Sequence, residues 1–163
     1  VGRYFVNAAS FGLWAKMAAR INRARLFGAA FPALAALAGW RSQRLRLFTD
    51  AGYDEIAGIT NVAVANGRWS GSGVKVAPAA EPGDGLFDIV VMGGAPRRKL
   101  FRLLRAWRKG REPGQLRRLR AAHLTVAPTV DTHGAVMVEA DGESVGVLPA
   151  TFQILPGAIN IRC

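Results

Sequence analysis

Cysteine is nearly absent from this sequence, and no apolar run is long enough to cross a bilayer. The one cysteine, Cys163, excludes an internal disulfide and a cysteine-rich zinc site within the chain, and it is compatible with a reducing cytosol. The longest apolar stretch, 26–40, is interrupted by Gly28 and Pro32 and falls short of the roughly 20 residues that a spanning helix needs. We expect a buried helix pair or an interfacial segment there.

A secretory signal sequence is missing as well. The chain begins at Val1 and passes directly into an apolar run, without the basic region and cleavage site that a signal peptide carries. This start predicts that the chain is the later part of a longer protein.

Acidic residues are half as frequent as basic ones, with 11 Asp and Glu against 22 Lys and Arg. So basic a protein is attracted to polyanions, either nucleic acid or anionic lipid headgroups. Generous use of arginine on solvated faces is an alternative source of this charge. Nucleic-acid binding would need aromatic residues interleaved with basic ones on a strand face, and adjacent pairs such as Arg68-Trp69 are thin support for it.

Short alternating apolar segments, separated by Gly and Pro turns, predict a mainly β fold. We expect an antiparallel β-sandwich with two helical excursions, forming a single domain over residues 1–163. The Asn66-Gly67 pair predicts a turn with positive φ. The predicted strands are 3–9, 45–49, 55–65, 87–92, 123–127, 135–140, 144–147, 151–155 and 158–162.

The helical excursions follow from apolar residues spaced by three or four. Ser10 is a candidate cap for a helix that carries Leu13, Met17 and Ile21 on one face, and a second helical patch is expected over 32–39. A basic helix is predicted over 97–109, where an apolar stripe lies among Arg and Lys. The stripe consists of Leu100, Leu103, Leu104 and Trp107.

Three loops contain residues suited to chemistry. The first, 66–73, is rich in glycine but lacks the spacing of a phosphate-binding P-loop, so it allows a close approach of backbone to another surface. In the second, 81–88, Asp84 lies between two glycines; it is either a ligand for a hard cation such as Mg²⁺ or a turn residue that caps its own backbone. The third, 138–143, ends in two carboxylates around Gly142, which suits either a hydroxyl-activating site or a hairpin turn.

Together these loops resemble those of the diacylglycerol kinase-like lipid kinases, a family that includes sphingosine and ceramide kinases. The resemblance rests on FVNAASFGLWAKMA, NVAVANGRWSGSGVKVAPAAEPGDGLFDIVVM and VEADGESVGVLPATFQILPGAINI, and it extends over nearly the whole chain. It implies the carboxy-terminal β-sandwich lobe of a two-lobe kinase. The amino-terminal lobe with its nucleotide-binding GGDGT motif is not part of this chain.

The resemblance also implies roles for individual residues. Glu143 corresponds to the general base that takes the proton of the lipid hydroxyl, and Asp141 to the acidic network beside nucleotide and catalytic metal. Asp84 corresponds to a ligand of a structural Mg²⁺, completed by the backbone carbonyls of Glu81 and Leu86. Two positions depart from the usual pattern, Ser72 in place of a third glycine and Trp14 in place of a small or acidic residue.

Cofactors, partners and location follow from the same resemblance. It implies a transferase of phospholipid metabolism that uses ATP and Mg²⁺, phosphorylates diacylglycerol or another lipid alcohol, and pairs with the amino-terminal kinase lobe of its parent chain. We expect a cytoplasmic protein peripheral to the inner membrane face, with the basic helix on anionic lipid, no nucleic-acid partner, and scope for a homodimer. The isolated chain is expected to be inactive. A non-catalytic basic β-domain is the alternative.

Overall fold

A computed structural model describes residues 2–23, 37–70, 73–108 and 116–159, which form mainly β-structure with two helices. The helices are α1 (Leu13–Arg23) and α2 (Arg97–Arg108). The strands are β1 (Ala8–Gly12), β2 (Gln43–Thr49), β3 (Asp54–Ala65), β4 (Trp69–Ser70), β5 (Val74–Lys75), β6 (Phe87–Gly93), β7 (Leu116–Ala121), β8 (His123–Pro128), β9 (Met137–Ala140), β10 (Glu143–Val147) and β11 (Ala150–Gln153). In the parts so described, no helix is long and apolar enough to span a membrane.

One antiparallel sheet contains nine of these strands. Its order is β10-β9-β1-β3-β2-β8-β11, with β6 beside β3 and β7 beside β6, while β4 and β5 form a separate hairpin. The sheet curls until distant strands face each other: Phe11 of β1 stacks on Phe152 of β11, with ring centroids 5.9 Å apart. The expected mainly antiparallel fold with two helices is confirmed, and its two layers come from one curled sheet.

The inner face of the curled sheet holds the main hydrophobic core. On β2, Leu45 and Leu47 are buried while the alternating Arg44 and Arg46 are exposed, which is the pattern of a strand with one face inside. Burying such a leucine contributes about 1.5–3 kcal/mol. The core is completed by residues of other strands, among them Phe11, Val62, Val64, Ile89, Leu124, Val126 and Val138.

Two smaller apolar clusters fix the loops and helices outside the sheet. Alanines of β1 and β3 pack with Val76, Ala77 and Ala80 of the segment that precedes the acidic turn, and the half-buried Trp14 ring packs against this cluster. This accounts for a residue whose role the sequence left open. Leu13 of α1 and Leu100 of α2 meet in the other cluster, so the two helices lie on a shared apolar base.

The start of α1 differs from the prediction. Ser10 is not a helix cap but a strand residue, since β1 runs over Ala8–Gly12 rather than 3–9. The turn into the helix depends on Gly12, which has φ +102° and lies so close to β3 that an added Cβ would be 2.7 Å from the carbonyl oxygen of Thr60. The capping role passes to Asn61 of β3, whose Oδ1 accepts the backbone N–H of Trp14 at 2.8 Å.

Other element boundaries also need correction. Strand β7 (Leu116–Ala121) was not predicted. Its three arginines are exposed and obscure the alternation of apolar and polar residues that indicates a strand. Ala158 and Ile159, predicted to start a last strand, are not in a strand. Most of the helical patch 32–39 lies outside the described residues, as do the side chains of Ile21, Leu103, Leu104 and Trp107.

Candidate functional site

The register of the sheet brings the three loops of interest to one end of it. Neighbouring strands pair there in a row across β9, β1, β3, β6 and β7, through Ala140 with Ala9, Ala8 with Ala65, Ala65 with Asp88, and Asp88 with Arg120. Since adjacent strands are about 4.8 Å apart, β9 and β6 are separated by about 14 Å along this row. Turns that are far apart in sequence therefore lie at the same end of the sheet.

Asp141 is anchored by the backbone that leads into β1. Its carboxylate accepts the N–H groups of Val6 at 2.7 Å, Asn7 at 3.1 Å and Ala8 at 2.9 Å, while its own N–H donates to the carbonyl of Ala8. The residue has φ +47°, a conformation that Asp and Asn tolerate better than most residues. The side chain therefore acts as a clamp on residues 6–8, and its membership of a metal-binding network stays a prediction.

The same segment holds the glycine-rich loop. The carbonyl of Asn7 accepts the N–H groups of Asn66 and Gly67, and the Asn66 amide donates to the carbonyl of Val6 at 2.8 Å. The expected positive-φ turn at Asn66-Gly67 is wrong, because neither residue has positive φ. A Cβ at position 67 would overlap the side-chain oxygen of Asn7, so a larger residue there would have to displace that side chain.

Glu143 begins β10 with an exposed side chain. It lies directly opposite Ala140 of β9, and opposite residues in an antiparallel pair project from the same face. Ala140 lines an open groove of about 1010 Å³, together with Val138, Val145 and the rings of Phe5, Phe87 and Phe152. The side chain of Glu143 forms no hydrogen bond or ion pair with any other residue that the structure describes.

Glu139 is a functional candidate that sequence reasoning missed. It is 9% exposed and accepts the Ser10 hydroxyl at 2.7 Å through one oxygen and the N–H of Gly142 at 2.9 Å through the other. The bond to Gly142 fixes the turn between Asp141 and Glu143. The signal was a charged residue between Val138 and Ala140 in an otherwise apolar strand, since a buried carboxylate requires partners.

The acidic turn 81–88 is held by a short-range cap and by one arginine. Asp84 accepts the N–H of Leu86 at 2.9 Å, which is the capping geometry that the sequence offered as the alternative to metal binding. Its second oxygen accepts a hydrogen bond from the guanidinium of Arg120, and the carbonyl of Glu81 accepts the N–H of Asp84 at 3.2 Å.

The oxygen atoms of this turn are of the chemical type that hard cations bind. A carboxylate of Asp84 and carbonyls of Glu81 and Leu86 are ligands that Mg²⁺ accepts, and each oxygen retains a further lone pair. Within the described residues, no group of three or more His, Cys, Asp or Glu is placed to hold a metal, so carbonyls and water would have to complete the coordination. The guanidinium of Arg120 already binds one oxygen of Asp84 and would compete with a cation for it.

Asp88 gives this turn a second carboxylate, which the sequence analysis treated only as an interruption of a buried strand. Burial raises its pKa above the ordinary aspartate value; the nearby Asp84 and Glu81 act in the same direction, and Arg120 and Arg118 oppose them. Its Oδ2 lies 3.7 Å from Nε of Arg120 and has no hydrogen-bond partner among the described groups. Arg120 thus compensates two carboxylates at once.

Comparison with known proteins identifies the family. Residues 7–163 match the family described as the YegS C-terminal NAD kinase beta sandwich-like domain. The chain belongs to this family. Diacylglycerol kinases of Mycobacterium tuberculosis, strains CDC 1551 / Oshkosh and ATCC 25618 / H37Rv, are each 32% identical to it over 129 residues, which is 78% of this chain and 40% of the relative.

Solved structures show the same fold. A crystal structure of a diacylglycerol kinase from Bacillus anthracis str. Sterne aligns with 96% of this YegS-type chain and 48% of its own, with TM-score 0.60 and 18% identity. A provisionally assigned diacylglycerol kinase of the same organism aligns with 94% of this chain and 51% of its own, with TM-score 0.63 and 21% identity. The chain spans about half the length of these proteins, and the expected family and fold are confirmed.

Proposed function

We propose that this chain is the carboxy-terminal lobe of a lipid kinase that transfers the γ-phosphoryl group of ATP to a lipid hydroxyl, with diacylglycerol as the substrate and phosphatidic acid as the product. Membership of the YegS-type family and the names of the relatives support a kinase domain. The observation that carries the proposal is the pairing of Glu143 with Ala140, a residue that lines an apolar groove of about 1010 Å³.

The groove suits a ligand with a long apolar part and a polar end. The rings of Phe5, Phe87 and Phe152 form one connected aromatic group, with centroid distances of 5.6 Å and 6.5 Å from Phe5 to the other two. Such rings bind acyl chains through the hydrophobic effect. The groove includes Ala140, which is paired with Glu143, so a lipid alcohol in it would present its hydroxyl near the carboxylate.

Glu143 would act as the general base. It accepts the proton of the lipid hydroxyl as the oxygen forms its bond to the γ-phosphorus of ATP, and ADP leaves with the electron pair of the broken P–O bond. Glu139 and Asp141 would keep the turn rigid, one through the N–H of Gly142 and the other through residues 6–8. Bound Mg²⁺ would neutralise phosphate charge. Asp84 and the carbonyls of Glu81 and Leu86 would hold the structural ion.

The test is phosphotransfer by Glu143→Gln in a protein that contains this chain joined to its amino-terminal lobe. We expect turnover with ATP and diacylglycerol to fall about 10²–10⁴-fold, as for loss of a general base, while the unfolding midpoint stays unchanged because Glu143 has no described partner. Ser144→Ala, at the next position, is the control. Near-normal turnover in Glu143→Gln would refute the assignment of the base, and equal turnover with non-lipid alcohols would refute the substrate class.

The basic helix α2 is proposed to face an anionic membrane surface. Arg98, Arg102 and Arg105 are exposed, and Phe101 among them exposes 59% of its surface. An exposed ring within a basic helix face is typical of segments that lie at the lipid headgroups. Leu100, on the opposite side, is buried in the cluster that α2 shares with α1, so the basic side is the one left for lipid.

Replacing Arg98, Arg102 and Arg105 together with Gln tests this surface. At about 1 kcal/mol for each basic residue near anionic lipid, binding to phosphatidylserine vesicles should weaken about 100-fold. Replacing Arg44, Arg46 and Lys75 with Gln removes the same charge elsewhere and should have a much smaller effect. Equal losses in the two triple variants, or undiminished binding to neutral vesicles, would contradict the proposed orientation.

A further inference from the structure

Arg120 occupies the acidic turn at the position a cation would take. It lies on β7 directly opposite Asp88 of β6, and its guanidinium bonds to one oxygen of Asp84 while Nε lies 3.7 Å from Asp88. The side chain of Asp84 is 21% exposed and that of Asp88 10%, against 51% for Arg120. The arginine thus reaches from the outside over two carboxylates that are less exposed than its own side chain.

A divalent ion and this guanidinium would have to share the second oxygen of Asp84. The first oxygen already accepts the N–H of Leu86, so the second is the main one left for a ligand. Two cationic groups on one oxygen also repel each other, with an energy that remains appreciable near a protein surface. The guanidinium therefore opposes binding of the ion unless Arg120 moves away from Asp84.

The ion pair is suited to such an exchange. Half of the Arg120 side chain is exposed, and exposed ion pairs contribute little net stability, with a median near 0–1 kcal/mol. Displacement would leave Arg120 close to Asp88, which it already approaches. The cap from Asp84 to Leu86 does not involve Arg120 and would persist.

We propose that Arg120 is a built-in competitor of the divalent cation at Asp84: it holds the turn in the metal-free state and lowers the affinity of the turn for the ion. The inference rests on the cation site of the proposed function. Arg120 acts here as a positioning residue.

Thermal unfolding of Arg120→Met during titration with MgCl₂, against KCl of equal ionic strength, tests the competition. The expected result is a Mg²⁺ concentration for half-maximal stabilisation about tenfold lower than in the unchanged protein, because a neighbouring positive charge is gone. Arg117→Met is the matched control: Arg117 lies on the same strand and is ion-paired with Glu55, away from Asp84. Its half-maximal Mg²⁺ concentration should equal that of the unchanged protein.

Equal half-maximal concentrations in Arg120→Met and Arg117→Met, or a higher one in Arg120→Met, would overturn the competition and leave the cation site standing. No response to Mg²⁺ in any of the proteins would overturn it together with the cation site, while phosphotransfer by Glu143 would remain a separate question. If Arg120→Met does not fold, Arg120→Lys replaces it. Its compact charge should leave Asp84 more readily than the guanidinium, and an unchanged Mg²⁺ dependence there would overturn the proposal.

Discussion

Two acidic turns lie at the same end of the sheet, and their aspartates are anchored by different kinds of group. Asp141 is fixed by backbone N–H groups of residues 6–8, whereas Asp84 is paired with the side chain of Arg120. Backbone donors come from the fold itself and stay in place as long as the chain is folded. A surface side chain can turn away at little cost. One turn is therefore anchored by backbone groups of the fold, and the other by a side chain that can move.

This difference fits the roles proposed for the two turns. Glu143 must stand within hydrogen-bond reach of the hydroxyl that it deprotonates, and a turn clamped by Asp141 and by Glu139 keeps its backbone in one position. The turn around Asp84 would have to accept and release an ion, so a replaceable counter-ion is appropriate there. Glu143, whose carboxylate has no side-chain partner among the described residues, is the group proposed to act in the chemistry.

The largest loss of stability is expected for Asp141→Asn. Asparagine tolerates the φ of +47°, so backbone strain is not introduced, but its amide nitrogen cannot accept the N–H groups that both carboxylate oxygens now accept. We expect a loss of about 1–2 kcal/mol in the free energy of unfolding, since one or more N–H groups of residues 6–8 lose a charged acceptor. Urea unfolding measures it.

Glu143→Gln is the control for Asp141→Asn, since it removes a charge from the same turn without removing a described contact. Its urea midpoint should match that of the unchanged protein. An Asp141→Asn variant as stable as Glu143→Gln would show that the clamp on residues 6–8 contributes nothing, and the contrast between a permanent and an exchangeable turn would be lost.

The sequence predicted what depends on local patterns. Alternation in β2 and the apolar run of β6 led to the correct strands, and the spacing of Leu13 and Met17 to helix α1. Strand β7 was not predicted because its exposed arginines obscure the alternation of apolar and polar residues. Ser10 was misassigned because the true cap, Asn61, comes from a strand nearly fifty residues later. Sequence spacing carries no information about such a contact.

In the candidate site too, local patterns predicted some features, and contacts between distant residues determine the others. Glycine, aspartate and glutamate in short motifs identified the two acidic turns and Glu143. The partners that decide how each carboxylate is used were not foreseeable: Arg120 reaches Asp84 only because β7 pairs with β6, and residues 6–8 reach Asp141 only because β1 pairs with β9. Tertiary pairing determines these contacts, and no local pattern records it.

A smaller loss in the free energy of unfolding is expected for Asp84→Asn. Asparagine still offers an oxygen to the N–H of Leu86, so the cap survives, and the change removes only the half-exposed ion pair with Arg120. Exposed pairs contribute about 0–1 kcal/mol, and the free energy of unfolding should fall by less than in Asp141→Asn under the same urea protocol. A larger loss than in Asp141→Asn would mean that Arg120 holds its turn as firmly as the backbone holds the other, because only a tightly coupled pair is costly to separate. The order of the two variants thus ranks the two kinds of anchor directly.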